Sequence, residues 1–289
     1  MKIMKLLVVV AVGAFLFSGS MTSYAQGNLV KNGDAETGSI TNWPKDVKLS
    51  EDSPHGGNYC FKVLGYKTVF TSELIPIEEG KVYTLTGWFK STGAIRSKIY
   101  FGYAPYDEKK RLIGPSHVDF YPKSETSLVE ACKKGDMILK IKDGKGWKVY
   151  KYGRVAFEVD GSGKYSDLPN RNLSSFGIKE VVAKENFWEV HLAKPCVKAY
   201  PAGTLVREHK SAGGYIYNAA FGKIVPDEWT KYTGIIKEWA KHGCSATKWW
   251  AGTKYVKILI IANYGQKKDA ELLFDDITLT ASRASGQLL

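Results

Sequence analysis

The chain has 289 residues, 44% hydrophobic and 13% aromatic, enough apolar material to build packed cores and to exclude a disordered chain. Its 41 Lys and Arg exceed its 29 Asp and Glu, for a net charge of +12. The lysines are scattered and no recognition motif accompanies them, so nucleic acid is not the expected partner. The surplus reads either as a solubility device or as attraction to a polyanion such as an acidic polysaccharide.

In chain order, the first segment is Met1-Lys2-Ile3-Met4-Lys5, an apolar run from Leu6 to Phe17, and Ser23-Tyr24-Ala25 before Gln26. Two lysines, a short hydrophobic stretch and a small-x-small site predict a secretory signal peptide over residues 1–25. The apolar run falls short of the roughly 20 residues that span a bilayer, and no cysteine stands at the cleavage site. The expectation is a mature, secreted chain from about Gln26, periplasmic or extracellular, with no membrane anchor.

Short runs rich in Val, Ile, Thr, Tyr and Phe follow, punctuated by Gly, Pro, Asn and Asp. They include Cys60–Val63, Val82–Phe89, Lys98–Phe101 and Tyr255–Ala262. Many strands separated by turn signals predict an all-β sandwich or barrel. The best helical candidate, 229–242, carries Gly234 and β-branched residues through its middle, which argues against a helix.

Several motifs in order resemble carbohydrate-binding modules of the galactose-binding-like jelly-roll type. They are Asn28-Leu29-Val30-Lys31-Asn32-Gly33-Asp34-Ala35-Glu36 followed by Trp43, Ser53-Pro54-His55-Gly56-Gly57-Asn58-Tyr59, and Ile75-Pro76-Ile77 with Gly80–Trp88. Far downstream come Trp229-Thr230-Lys231-Tyr232 and Leu273-Phe274-Asp275-Asp276-Ile277-Thr278-Leu279. The resemblance implies a jelly-roll β-sandwich built from 26–124 and 218–282, interrupted by 125–217 and followed by a tail, 283–289. The interrupting segment reads as a small β-rich subdomain, a barrel or subsandwich, because 137–141, 155–159, 187–192 and 203–207 are strand-like. Gly161-Ser162-Gly163 reads as a hairpin turn.

The resemblance also implies a glycan partner, held without catalysis. Sugar rings need flat apolar surfaces with polar groups at their edges. On the strand 83–90, alternation places Trp88 and Lys90 on the polar face, opposite Tyr83, Leu85 and Phe89. Tyr100 would extend the Trp88 surface if its strand is a neighbour. Tyr103, Tyr106, Trp249 and Trp250 complete the candidate set, and for each the plain alternative is a place in the core. The resembling modules carry a structural calcium where the first and last motifs meet, which implies Glu36 and Asp276 as ligands with Asp34 beside them. Asp275, next in the strand, is expected to face away.

Four cysteines, Cys60, Cys132, Cys196 and Cys244, allow three pairings or none. Cys132 with Cys196 and Cys60 with Cys244 would match the domain division, and the absence of C-x-x-C makes zinc improbable. An enzymatic alternative is a polysaccharide lyase or hydrolase with Arg207, His209 and a tyrosine, Tyr215 or Tyr217, in the insertion. A structural or adhesion protein is a third reading. No G-x-S-x-G, H-E-x-x-H, phosphate loop or dinucleotide fingerprint occurs.

Overall fold

A computed structural model describes residues 27–211, 213–265 and 269–283. The signal segment 1–25 and most of the tail 283–289 lie outside the described residues. The fold is all-β, with one short 3₁₀ turn, Pro115–His117, among the described residues.

Two antiparallel sheets form a sandwich. The first has the order β1 (Lys48–Ser50), β2 (Cys60–Leu64), β16 (Glu271–Arg283), β5 (Lys81–Ser91), β14 (Thr230–Ile236). The second has the order β13 (Ile216–Ile224), β6 (Lys98–Tyr106), β15 (Tyr255–Ala262), β3 (Lys67–Phe70), with β4 (Ile75–Pro76) also paired to β15. The first half of the segment considered for a helix is therefore strand β14, and the rest, 237–242, is irregular.

Strict alternation builds the core. On β5, Tyr83, Leu85 and Phe89 are buried inward while Thr84, Thr86, Trp88 and Lys90 stay partly exposed outward. On β6, Ile99, Phe101 and Tyr103 are fully buried, and Phe101 meets Phe89 edge-on at 4.9 Å across the sandwich. Trp43, Phe61 and Phe274 close the other end of this layer, with centroids 5.1 to 5.2 Å apart.

The beginning and end of the chain are stitched together. The Asn28 side chain donates to the Ile277 carbonyl and accepts from the Leu279 N–H. Gly33 sits so close to the Ile277 carbonyl that a Cβ would overlap it, which explains a glycine there.

Between β6 and β13 the chain makes a long excursion containing β7 (Thr126–Ser127), β8 (Ile138–Ile141), β9 (Arg154–Phe157), β10 (Ile178–Ala183), β11 (Trp188–Leu192) and β12 (Leu205–His209). These form two three-stranded sheets, β10-β11-β8 and β7-β12-β9. Both contribute to a core separate from that of the sandwich, including Leu139, Ile141, Val155, Phe157, Val190 and Val206. Phe157 and Tyr200 stack face to face at 3.9 Å inside it. The segment after Tyr165 does fold back on β9, through an antiparallel bridge between Ala156 and Leu173 with the Phe157 N–H donating to the Asn172 carbonyl and the Ser174 N–H to the Val155 carbonyl, while the other edge of β9 pairs with β12.

All four cysteines are free thiols in this structure. The buried Cys132 thiol donates to the Lys133 carbonyl at 3.5 Å and lies beside Cys196; burial, then that neighbour, pushes it up to about 12. Cys60 and Cys244 do not meet. Cys60 lies on β2 near Asp275 and Asp52, whereas Cys244 lies in a loop near Asp119 and Lys210.

Candidate functional site

Phe89 and Phe101 both point into the core, so their neighbours Trp88 and Tyr100 point out of opposite faces. The expectation that Tyr100 extends the Trp88 surface is corrected: β5 and β6 belong to different sheets. Trp88 is itself covered. The His55 ring stacks on it at 3.9 Å and 21°, Trp229 meets His55 edge-on at 5.7 Å, and Lys231 Nζ lies 5.9 Å from the Trp88 ring. Lys90 stands one step along the same outward row.

Three further candidates are core residues. Tyr103 and Trp249 are 0% exposed and Trp250 is 1% exposed, so none can lie against a ligand. Tyr103 has the inward parity of β6, and its ring packs on Trp249 at 4.8 Å. Burial pushes its phenol far above the ordinary range. Trp250 spends its indole N–H on the Ser245 carbonyl at 2.9 Å.

The outward face of the second sheet carries the aromatic surface. Tyr100 lies 4.9 Å from Tyr217, 4.9 Å from Tyr264 and 5.1 Å from Phe221. Tyr264 meets Tyr66 at 5.9 Å, Tyr217 meets Tyr215 at 6.2 Å, and Tyr215 reaches Phe70 at 5.5 Å. Seven rings thus form one connected layer, exposed most at Phe221 (68%), Tyr66 (52%) and Tyr264 (43%). Beneath it, Leu259 and Ile261 of β15 are buried, although the core-facing residues of that strand are Val256, Ile258 and Ile260. Register explains the cover: Leu259 lies between Phe70 and Gly102, and Ile261 between Thr68 and Tyr100.

This layer suits stacking with polar edges. Burial, followed by the neighbouring tyrosines, pushes the Tyr217 phenol up to about 12, and Tyr215 moves in the same direction. Both hydroxyls are therefore protonated donors at neutral pH. Lys98 Nζ lies 5.7 Å from the Tyr264 ring at the margin. Tyr106, at the far end of β6, is half-buried on the same outward row as Tyr100 and lies in register with Tyr255.

Sequence reasoning placed Tyr100 and Tyr106 as candidates and missed Tyr66, Phe70, Phe221 and Tyr264. It weighed Tyr215 and Tyr217 only for catalysis. The available signal was the pair Tyr215 and Tyr217 flanking the inward Ile216, a strand alternation with an aromatic outer side.

The predicted calcium corner gathers its carboxylates around one loop. Glu36 accepts from the N–H groups of Asn58 and Tyr59, both at 2.9 Å, and from the Asn58 side chain. The Tyr59 bond leads in holding its carboxyl below the ordinary range. Asp276 meets His55 Nδ1 at 2.7 Å, and Asp34 accepts from the Glu36 N–H. Asp275 does not face away. A bulge at this point, with Asp276 at φ 46°, breaks the alternation, and Asp275 accepts from the N–H groups of His55, Gly56 and Asp276. Burial pushes Asp275 up to about 6. The oxygens suit a hard cation in kind, but they are engaged by N–H donors. Among the described residues no group of three or more His, Cys, Asp or Glu is placed to hold a metal.

Arg207 and His209, the proposed catalytic pair, are 0% exposed. Arg207 donates to Glu125 at 2.9 Å, Asp167 at 2.8 Å and His209 Nε2 at 3.1 Å, with Phe120 4.1 Å from the guanidinium carbon. Burial, then Arg207, lowers His209 to about 3, which keeps it neutral. Its Nδ1–H then donates to the Ser116 carbonyl at 2.8 Å. A guanidinium this fully engaged has nothing left to neutralise a uronate. Beside it Glu208, also buried, accepts from the Lys148 N–H through one oxygen while the other has no hydrogen-bond partner among the described residues. Burial pushes Glu208 up to about 7.

No protein-family model matches the chain, and no curated protein matches it in sequence. Among solved structures it is similar to a family 16 carbohydrate-binding module (12% identity, TM-score 0.33, covering 87% of this chain and 99% of that one). It is also similar to the CBM22-1 xylan-binding domain of Paenibacillus barcinonensis Xyn10C (9% identity, TM-score 0.37, 88% and 94% covered). A third is TmCBM61 in complex with β-1,4-galactotriose (13% identity, TM-score 0.32, 88% and 98% covered). At these values the likenesses carry no ligand to this chain, whose fold and site rest on the strands and side chains described above.

Proposed function

We propose that this protein is an exported, non-catalytic glycan-binding protein, and that its ligand lies along the outward face of β13, β6, β15 and β3. The observation that carries the reading is the connected layer of Tyr66, Phe70, Tyr100, Tyr215, Tyr217, Phe221 and Tyr264 over a sheet whose inward side is already packed. A monomeric fold gains nothing from leaving Phe221 and Tyr66 largely in water, whereas a pyranose face covers such rings and its hydroxyls meet the phenols and Lys98. Export rests on the signal-like residues 1–25. The net charge of +12 favours an acidic polysaccharide over a neutral one through long-range attraction.

The test is affinity electrophoresis through gels containing neutral or acidic polysaccharides, with wild type, Tyr264→Ala and Phe221→Ala. Retardation of the wild type that weakens in both variants supports the reading. A wild type that no polysaccharide retards sinks it and favours a structural or adhesion role.

Calcium belongs to this proposal as a brace. Glu36 and Asp276 would hold it, with Asp34 beside them, once the 53–59 loop exchanges its N–H donors for carbonyl oxygens.

A further inference from the structure

At one end of the second sheet the insertion touches the sandwich, and the contact shapes a half-open hollow of about 230 Å³. Asp107, Glu108 and Arg111 form one side, Leu168 and Pro169 of the insertion the other, and Gly252 and Lys254 complete it. The insertion side is firmly seated. Pro169 packs on Gly252, where a Cβ would overlap it, and Arg171 donates to Asp107 at 2.9 Å.

Asp107 is locked into the wall rather than offered to a ligand. It is 4% exposed and accepts from Arg111 and Arg171, both at 2.9 Å. Burial works to raise its carboxyl, but the Arg111 bonds and both guanidinium charges hold it below the ordinary range. Three polar groups remain for a ligand: the Glu108 carboxylate, the outer edge of the Arg111 guanidinium and the Lys254 ammonium. Glu108, Arg111 and Lys254 are all exposed, and no other protein group pairs with Glu108 or Lys254 by side-chain bond or ion pair among the described residues. Leu168, Pro169 and Gly252 supply a C–H surface between them.

Acceptor, donors and an apolar wall around one small volume match a ring bearing several hydroxyls on its edge and C–H groups on its face. A fully anionic ligand would meet Glu108, and a purely apolar one would leave three charged groups dry. The volume lies below the roughly 300–1,000 Å³ of pockets that take drug-sized ligands, so it admits one ring and not an oligomer. The pocket also adjoins the aromatic face: Tyr106 and Tyr255, paired in register on that face, are the immediate chain neighbours of Asp107 and Lys254. Tyr106 lies about 20 Å along β6 from Tyr100.

We propose that this seam pocket is a second subsite that holds a single sugar residue through its hydroxyls, so that the insertion contributes one wall of the binding surface. For its ligand class it rests on the glycan reading above. A chain lying on the sheet face and a residue seated in the pocket would be bound by two linked contacts, which raises affinity without enlarging either.

The experiment is a titration of the isotope-labelled mature chain with methyl glycosides of glucose, galactose and xylose, followed through backbone amide shifts. The expected result is that at least one glycoside shifts amides of 107–111, 168–171 and 252–254, and that the surface substitutions Glu108→Gln and Lys254→Ala each weaken this binding several-fold. Shifts centred on Tyr100 and Tyr264 instead, shifts that persist undiminished in both variants, or no shift with any glycoside would overturn it. Polysaccharide retardation reads the sheet face separately, so loss of one result with survival of the other shows which of the two proposals fails.

Discussion

Phe89 and Phe101 meet at 4.9 Å inside the sandwich, and that single inward contact sends Trp88 and Tyr100 to opposite outer faces. Trp88→Ala is therefore expected to leave polysaccharide retardation unchanged while lowering the melting temperature, because it removes the ring under His55. Tyr264→Ala, 43% exposed, does the reverse. One stacking ring is worth about 0.5–1.5 kcal/mol, or roughly a 2- to 12-fold loss of affinity. Affinity electrophoresis and thermal melts on the same two variants check both halves.

Arg207 is held by Glu125 and Asp167 with no exposure to water. Arg207→Met leaves both carboxylates without their cation, and removal of one partner from a buried charge group costs about 3–5 kcal/mol. Urea denaturation should show this loss. An unchanged midpoint would mean that the carboxylates find other partners.

Glu208 sets a pH dependence whose sign follows from its burial. Its folded value, about 7, lies above the ordinary 4.5, so the native state holds the proton more tightly than the unfolded chain. Stability contributed by the protonated form is complete below about 4.5 and is lost as pH rises to about 7. The loss is on the order of 3 kcal/mol. Asp275, raised to about 6, adds a change of the same sign over a lower window. Glu208→Gln should remove this contribution, so in urea midpoints the variant gains stability at pH 8 over pH 5 relative to the wild type. His209 and His117, which burial keeps neutral, act with the opposite sign in both proteins.

Calcium is tested by melting the protein with millimolar calcium and with a chelator. Binding at Glu36 and Asp276 predicts a higher melting temperature with the ion, abolished by Glu36→Gln. Identical curves would leave the corner to its N–H donors.

Oxidation of the purified chain should join Cys132 to Cys196 and leave Cys60 and Cys244 as thiols, because only the first two are in contact. Non-reducing peptide mapping reads this directly. A Cys60–Cys244 crosslink would contradict the fold at both ends.

What was legible in the sequence was what depends on near neighbours. The alternation on 83–89 identified Tyr83, Leu85 and Phe89 as inward, and the texture of 137–207 announced a second β-rich unit. What depends on strand order was not legible. Nothing local tells Tyr100 that its companions are Tyr264, Tyr217 and Phe221 rather than Trp88. Nor does any local pattern show that Trp249, beside a turn, is driven into the core against Tyr83 and Tyr103. The bulge at Asp276 defeated the alternation rule for Asp275 for the same reason, since it exists only in the pairing of β16 with β5.

The insertion leaves after β6 and returns as β13, and these two strands are hydrogen-bonded neighbours. Their pairing is distant in sequence, and such pairings slow folding because the intervening loop must be closed first. Here the intervening chain has its own core, so once it has folded it is no longer a long loop but a short, stiff connector with its two ends side by side. An insertion that is already folded therefore lets the edge of the sandwich that bears Tyr217 and Phe221 close at little entropic cost.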